Sequence, residues 1–496
     1  MSYYEKLANH FRKLSRLSHL GSICGWDQAT MMPPGGNQAR GEALAELAVV
    51  MHEMATAPQL ADWFAAAKQE ELSDAERVSL QAMERNWRLD TVLPAHLVEA
   101  KALAASRCEH AWREQRKNND WQGFLPNLTE VIQLAREEAA IRAEATGTSA
   151  YDALLDLYEP GMTCAQLDAL FGDLVTWLPD LIRTAEEKQK TRTFTVPQGP
   201  FPTEKQKELS QSVMALLGFD FNHGRLDVSA HPFCGGVPTD VRITTRYDEA
   251  DFVKTLLGVI HESGHARYEQ NLPREWSGLP VGQARSMGVH ESQSLFFEMQ
   301  LARSREFSQQ LAPLAARIFG READPAFSVD NFYQLNTQVK RGYIRVDADE
   351  VTYPAHVILR YEIERALIEG TLAPADIPDV WHEKMQTYLG LSTLDNYRDG
   401  CMQDIHWTGG AFGYFPTYTL GAMYAAQLFA AAEKSMPNLR ENILRGELTE
   451  LFNWLKTHIW QKASTLSTDE LIRSATGESL NPAYFQRHLR ARYLEA

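Results

Sequence analysis

The run His261-Glu262-Ser263-Gly264-His265 constrains this chain more than any other stretch. Two histidines four apart on an α-helix leave from one face, a turn above each other, because the helix repeats every 3.6 residues. At that spacing both imidazoles can reach one metal ion, while Glu262 can hold a water beside it. The flanking sequence predicts the helix over residues 248–269, with Asp248 as N-cap and Val253, Leu256, Leu257 and Ile260 forming an apolar stripe. A helix that buries its first half in this way presents its histidines at the floor of a cleft. A five-residue pattern can recur by chance in a chain with 15 histidines, so the reading needs a third ligand.

Pro273, Gly278, Pro280, Gly282 and Gly288 mark a long connection, and a second helix is predicted from about His290 through Glu291, Leu295 and Glu298. A tetrahedral site takes three protein ligands plus water, and the carboxylate commonly comes from the next helix. A third histidine shortly after the motif is excluded, since that position is Asn271. Glu291 is therefore the expected third ligand, and Glu298 is the next place to look.

Composition limits the partners. The 496 residues are 44% hydrophobic and 23% charged, as in ordinary globular proteins, and can bury a substantial core. A net charge of -16 argues against nucleic acid and anionic membrane surfaces as partners, because both need basic patches. Any anionic ligand must then be held by local Arg or Lys. The five cysteines are scattered and form no CxxC, which supports neither a disulfide framework nor a thiolate zinc site. Residues 1–20 lack the apolar core of a signal peptide, and the most apolar stretch, Leu420 to Ala432, is too short to span a bilayer. A cytoplasmic enzyme is the expectation.

Taken in order, the chain reads as helical to about residue 190. Ser73 with Glu76 makes a capping box, Pro94 opens a long helix, and Thr163 can cap another. Residues Gly21 to Gly36, containing Trp26-Asp27-Gln28, are predicted as a punctuated loop. No repeat period and no Gly/Ser linker divides the chain, so residues 1–496 are expected to form a single catalytic domain: a helical part to about 190, a β-containing metal-binding part to about 300, and a helical remainder. Arg225 to Ser229 and Asp240 to Arg246 alternate as strands of a small antiparallel sheet just before the metal helix. An exposed strand edge there can hydrogen-bond an extended peptide. Arg242 is expected to pair with Asp240 or Asp248. Two loop clusters carry further candidates: Tyr343 to Asp349, with Arg345, and Gly400 to Tyr418, with Gln403, His406, Tyr414 and Tyr418. The second has the Gly, Tyr and His content of an oxyanion-binding flap, or of a loop that merely staples helices.

Together these clusters resemble the carboxypeptidase Taq family of metallocarboxypeptidases over essentially the whole chain. The matching motifs are His231-Pro232-Phe233, Asp240-x-Arg242-x-Thr244, His261-Glu262-x-x-His265, His290-Glu291-Ser292-Gln293, Ile344-Arg345-x-x-Ala348-Asp349 and Gly400-x-x-Gln403-Asp404-x-His406-Trp407. The resemblance implies a mainly α, saddle-like helical body with a deep central groove, similar to neurolysin. It also implies a homodimer, a zinc or cobalt ion, and peptide substrates shortened from the C-terminus. It assigns His261, His265 and Glu291 as ligands and Glu262 as general base. Arg345, or Arg242 in its place, would anchor the substrate's terminal carboxylate, with Gln403 beside it. Tyr414 or Tyr418 would hold the oxyanion with help from His406. An oligopeptidase or peptidyl-dipeptidase of the same architecture is the alternative.

Overall fold

The sheet is small and lies where the metal helix needs a wall. In the computed structural model, which describes residues 1–495, it has three strands: β1 (Gly224–Val228), β2 (Cys234–Val237) and β3 (Asp240–Thr245). Their order is β1-β3-β2, so β3 is central and β2 is an edge. β1 and β3, the two strands expected to pair antiparallel, run parallel, from Gly224 opposite Val241 to Val228 opposite Thr245. The antiparallel partner of β3 is β2, a strand not expected from the sequence, joined to it around Pro238 and Thr239. The sheet is thus mixed rather than antiparallel. Alternation in sequence identifies strands, but it carries no information on their relative direction.

Helices make up nearly everything else. The metal helix spans Phe252–Gln270, and its N-cap is Asp251, whose side chain accepts from the N–H groups of Val253 and Lys254. Asp248, the cap expected from sequence, instead closes the preceding turn by accepting from Ala250 N–H at 2.8 Å. Val259 and Ala266 pack with Val241 and Ile243 of β3 in a small apolar cluster beneath the sheet. Ile260, Leu256 and Phe252 belong instead to the main core, which draws on helices from Ala104 to Tyr493. The helix is therefore gripped on two sides, which leaves a defined face for His261 and His265.

The first helix runs unbroken over Tyr3–Thr30, so the loop predicted from Gly21 begins only at Met31. Each helical glycine costs roughly 1 kcal/mol against alanine, and tertiary contacts outweigh that here. Trp26, 8% exposed, lies under the guanidinium groups of Arg225 and Arg242 at 4.9 and 4.2 Å from its ring. Asp27 takes Arg40 at 2.6 Å. The capping box at Ser73 forms as expected, Thr163 caps its helix and does so in a second box with Gln166, and a helix follows Pro94. Among the described residues, no helix is long and apolar enough to cross a membrane.

Candidate metal centre and peptide site

The second site helix spans Met287–Leu295, with Ser286 as N-cap, and so starts three residues before His290. It approaches the metal helix closely enough that a Cβ on Gly264 would sit 2.4 Å from the Gln293 carbonyl oxygen. On the far side, a Cβ on Gly421 would sit 2.7 Å from Cγ of Glu291. Glycine at both points lets the Glu291 side chain sit between the metal helix and the helix Pro416–Ser435. Below, the buried Glu159 carboxylate accepts from Gly288 N–H at 3.0 Å, where a negative charge suits a helix N-terminus.

One ligand atom each from His261, His265 and Glu291 lies within 4.8 Å of the others. Nε2 of His261 is 3.9 Å and Nε2 of His265 is 3.5 Å from the same Glu291 oxygen. Each imidazole is held from behind. His261 Nδ1 meets Glu298 at 3.0 Å, and Glu298 is itself bonded to Arg303 at 2.7 Å. Glu298 sits in a π-helical segment, Phe296–Ala302, that continues the second helix; the wider turn sets it behind His261 rather than among the converging atoms. His265 Nδ1 meets His290 Nδ1 at 2.6 Å, and His290 Nε2 meets Glu269 at 2.8 Å. A carboxylate can only accept, so His290 donates to Glu269 and, when neutral, accepts from His265 Nδ1–H. With Nδ1 of each imidazole engaged from behind, Nε2 is the nitrogen that both His261 and His265 turn toward Glu291. That donor set, two imidazoles with fixed tautomers and one carboxylate, fits a divalent ion of the zinc type.

The field around the cluster is strongly uneven. Burial works to lower His261, but Glu291 and Glu298 outweigh it and raise the imidazole to about 10. Burial takes His265 down to about 4, reinforced by His290 and His261. Burial pushes the Glu262 carboxyl up to about 7, with Glu291 adding to the effect and His261 opposing it.

Arg345 lies in the 337–352 connection, buried, with its Nε on Asp404 at 2.9 Å and one Nη on the Tyr353 hydroxyl at 2.5 Å. Asp404 also takes Arg360, through Nε at 2.7 Å. Two guanidiniums share one carboxylate, so the trio carries a net positive charge. The neighbouring His356 and His406 do not add to it, because burial takes them down to about 3 and about 4. Gln403 is placed differently from the substrate contact expected of it. Its amide nitrogen donates to the carbonyls of Tyr343 and Asp399, and its oxygen accepts from Arg345 N–H at 2.8 Å, so it joins the two loops. Arg242 forks onto Asp240 through Nε at 2.9 Å and Nη2 at 3.0 Å, as expected.

The Gly400 to Tyr418 segment is anchored rather than free: Gln403, Trp407, Phe412, Gly413 and Phe415 are buried, and Tyr418 already lies on the Pro416–Ser435 helix. His406 Nε2 meets the Tyr418 hydroxyl at 3.1 Å, and the rings of Tyr414 and Tyr418 pack edge to face with centroids 5.4 Å apart. Burial raises Tyr414 to about 12 and Tyr418 well above its ordinary value, and the charge of Glu291 raises both further. Both phenols thus feel the Glu291 charge and stay protonated at neutral pH. Sequence reasoning passed over Arg360, Tyr353, Arg303 and Glu269. Arg360 and Tyr353 stand on an ordinary-looking helix, Tyr353–Glu369, and nothing in their spacing marks them.

The comparisons agree along the whole chain. A family model described as carboxypeptidase Taq (M32) metallopeptidase matches residues 6–493. Thermostable carboxypeptidase 1 of Thermus thermophilus is 39% identical over 503 residues, covering 99% of this chain and 98% of that protein. Carboxypeptidase 1 of Bacillus subtilis is 36% identical over 504 residues, covering 99% and 98%. Among solved structures, Trypanosoma cruzi metallocarboxypeptidase 1 superposes with a TM-score of 0.97 at 48% identity, covering 99% of each chain. The chain belongs to the carboxypeptidase Taq (M32) metallopeptidase family and is a metallocarboxypeptidase.

Proposed function

We propose that His261, His265 and Glu291 hold one zinc ion and that Glu262 is the general base for release of the C-terminal residue from peptides. The observation that carries this reading is the convergence of three ligand atoms within 4.8 Å, with the remaining nitrogen of each imidazole already engaged. An ion bound there supplies Lewis acidity, acidifying water and polarising a carbonyl. Glu262, one position along from His261, accepts the proton of the attacking water and returns it to the leaving amine. His406 Nε2 meets the Tyr418 hydroxyl at 3.1 Å, and the Tyr414 ring packs edge to face on that of Tyr418 with centroids 5.4 Å apart. With its own hydroxyl engaged by His406, Tyr418 is the less available of the two phenols, which supports Tyr414 in the oxyanion role.

Exopeptidase character follows from the buried positive trio. Burying net charge is costly unless an anion completes it, and a peptide's terminal carboxylate is such an anion. Arg345 is its anchor, since the guanidinium fork matches two carboxylate oxygens. Gln403 supports Arg345 from behind, and the Arg242 fork is already taken by Asp240. The family resemblance is what supports a homodimer. Five free cysteines without a disulfide are in keeping with a reducing, cytoplasmic setting.

Alanine at His261, His265 or Glu291 is expected to strip the ion during dialysis against a mild chelator, with peptide release falling in step. Elemental analysis of each dialysed variant makes the test. Full occupancy in Glu291→Ala would move the third ligand elsewhere, and Glu298 is the residue to examine next.

A further inference from the structure

The loop holding His406 and Tyr414 contains one short helical turn, His406–Gly409, and little other regular structure. A phenol that must meet a developing charge needs a firmer mount than that. The mount is a carboxylate from another element. Glu364, fully buried on the helix Tyr353–Glu369, accepts from Trp407 Nε1–H at 2.7 Å, from the Tyr151 hydroxyl at 2.8 Å and from Gly413 N–H at 3.1 Å. Trp407 directly follows His406, and Gly413 directly precedes Tyr414. The same loop end is wedged against the helix Ala150–Leu155, because a Cβ on Gly413 would sit 2.9 Å from the Leu154 carbonyl carbon. Burial pushes the Glu364 carboxyl up to about 7 while its three donors pull it back, so the group is kept at a cost that a buried apolar side chain would avoid.

We infer that Glu364 is a positioning residue for the peptidase reaction: it pins both ends of the 406–414 loop and so aims the Tyr414 hydroxyl. The inference rests on the oxyanion role proposed above for Tyr414. An amide cannot replace the carboxylate. One Glu364 oxygen serves Trp407 and the other serves Tyr151 and Gly413. Whichever way the glutamine amide of Glu364→Gln is turned, its NH2 faces an N–H, either that of Trp407 or that of Gly413.

The test is a double-mutant cycle on the zinc-loaded enzyme, with kcat, KM and metal content measured for Glu364→Gln, Tyr414→Phe and the double variant. Glu364→Gln is expected to lower kcat about thirtyfold with KM and metal content within about twofold, because a small misalignment acts on the transition state. In the Tyr414→Phe background the same change is expected to cost less than about threefold, since the hydroxyl it aims is gone. An undiminished loss in that background overturns the inference, as does a Glu364→Gln enzyme within about threefold of wild type when Tyr414→Phe is impaired. A fully active Tyr414→Phe overturns the oxyanion reading itself and this inference with it. Should Glu364→Gln fail to fold, Trp407→Phe removes one of the three donors, keeps a ring, and is read in the same cycle against the same criteria.

Discussion

Glu262→Gln is expected to keep its metal ion and lose about a thousandfold in kcat, equivalent to about 4 kcal/mol of transition-state stabilisation. Glutamine occupies the same volume on the same turn of the metal helix, so the flanking ligands keep their places. What it lacks is the basic oxygen that takes the water's proton. Metal content and rate must be measured on the same sample, since a variant that lost its ion would be inactive for another reason. Full metal with activity within about tenfold of wild type removes Glu262 from the role of base.

Arg345→Ala carries the second large effect. Leaving a buried charge without its partner costs roughly 2–5 kcal/mol, so peptides with a free C-terminal carboxylate should be cut at least about thirtyfold more slowly. A peptide amidated at its C-terminus never used the contact and should be cut slowly by both proteins. The acid-to-amide rate ratio is the informative quantity, and it is expected to collapse while metal content holds. Because Arg345 also bonds Asp404 and Tyr353, a thermal melt of the variant belongs beside the kinetics. An unchanged ratio in a folded, metal-loaded variant would make Arg345 a structural partner of Asp404 and return Arg242 to consideration.

What could be read from the sequence was what repeats or what is short. His261, Glu262 and His265 are legible because helical spacing alone puts them on one face, and Glu291 because it lies in the next helix. Other features depend on contacts between distant segments. The first helix runs through Gly21 and Gly25 because Trp26 is held beneath two arginines from strands some two hundred residues later, an interaction no local propensity encodes. The π-helical segment that puts Glu298 behind His261 adds a residue to a turn without any punctuation to announce it. Asp404 was visible within a motif, but Arg360, which shares it with Arg345, sits on a helix whose pattern is only that of a buried helix. Gln403 shows the converse. A motif position that looks like a substrate contact has both ends of its amide bonded to backbone.

The account turns on one ion held by three named side chains, and anomalous scattering at the zinc edge from crystals of the loaded enzyme tests that directly. One strong peak is expected about 2.0–2.2 Å from Nε2 of His261, Nε2 of His265 and a carboxylate oxygen of Glu291, with Glu298 and His290 outside bonding distance. A peak bound by Glu298 in place of Glu291, or no peak at this cluster in an enzyme that still releases C-terminal residues, would contradict the account.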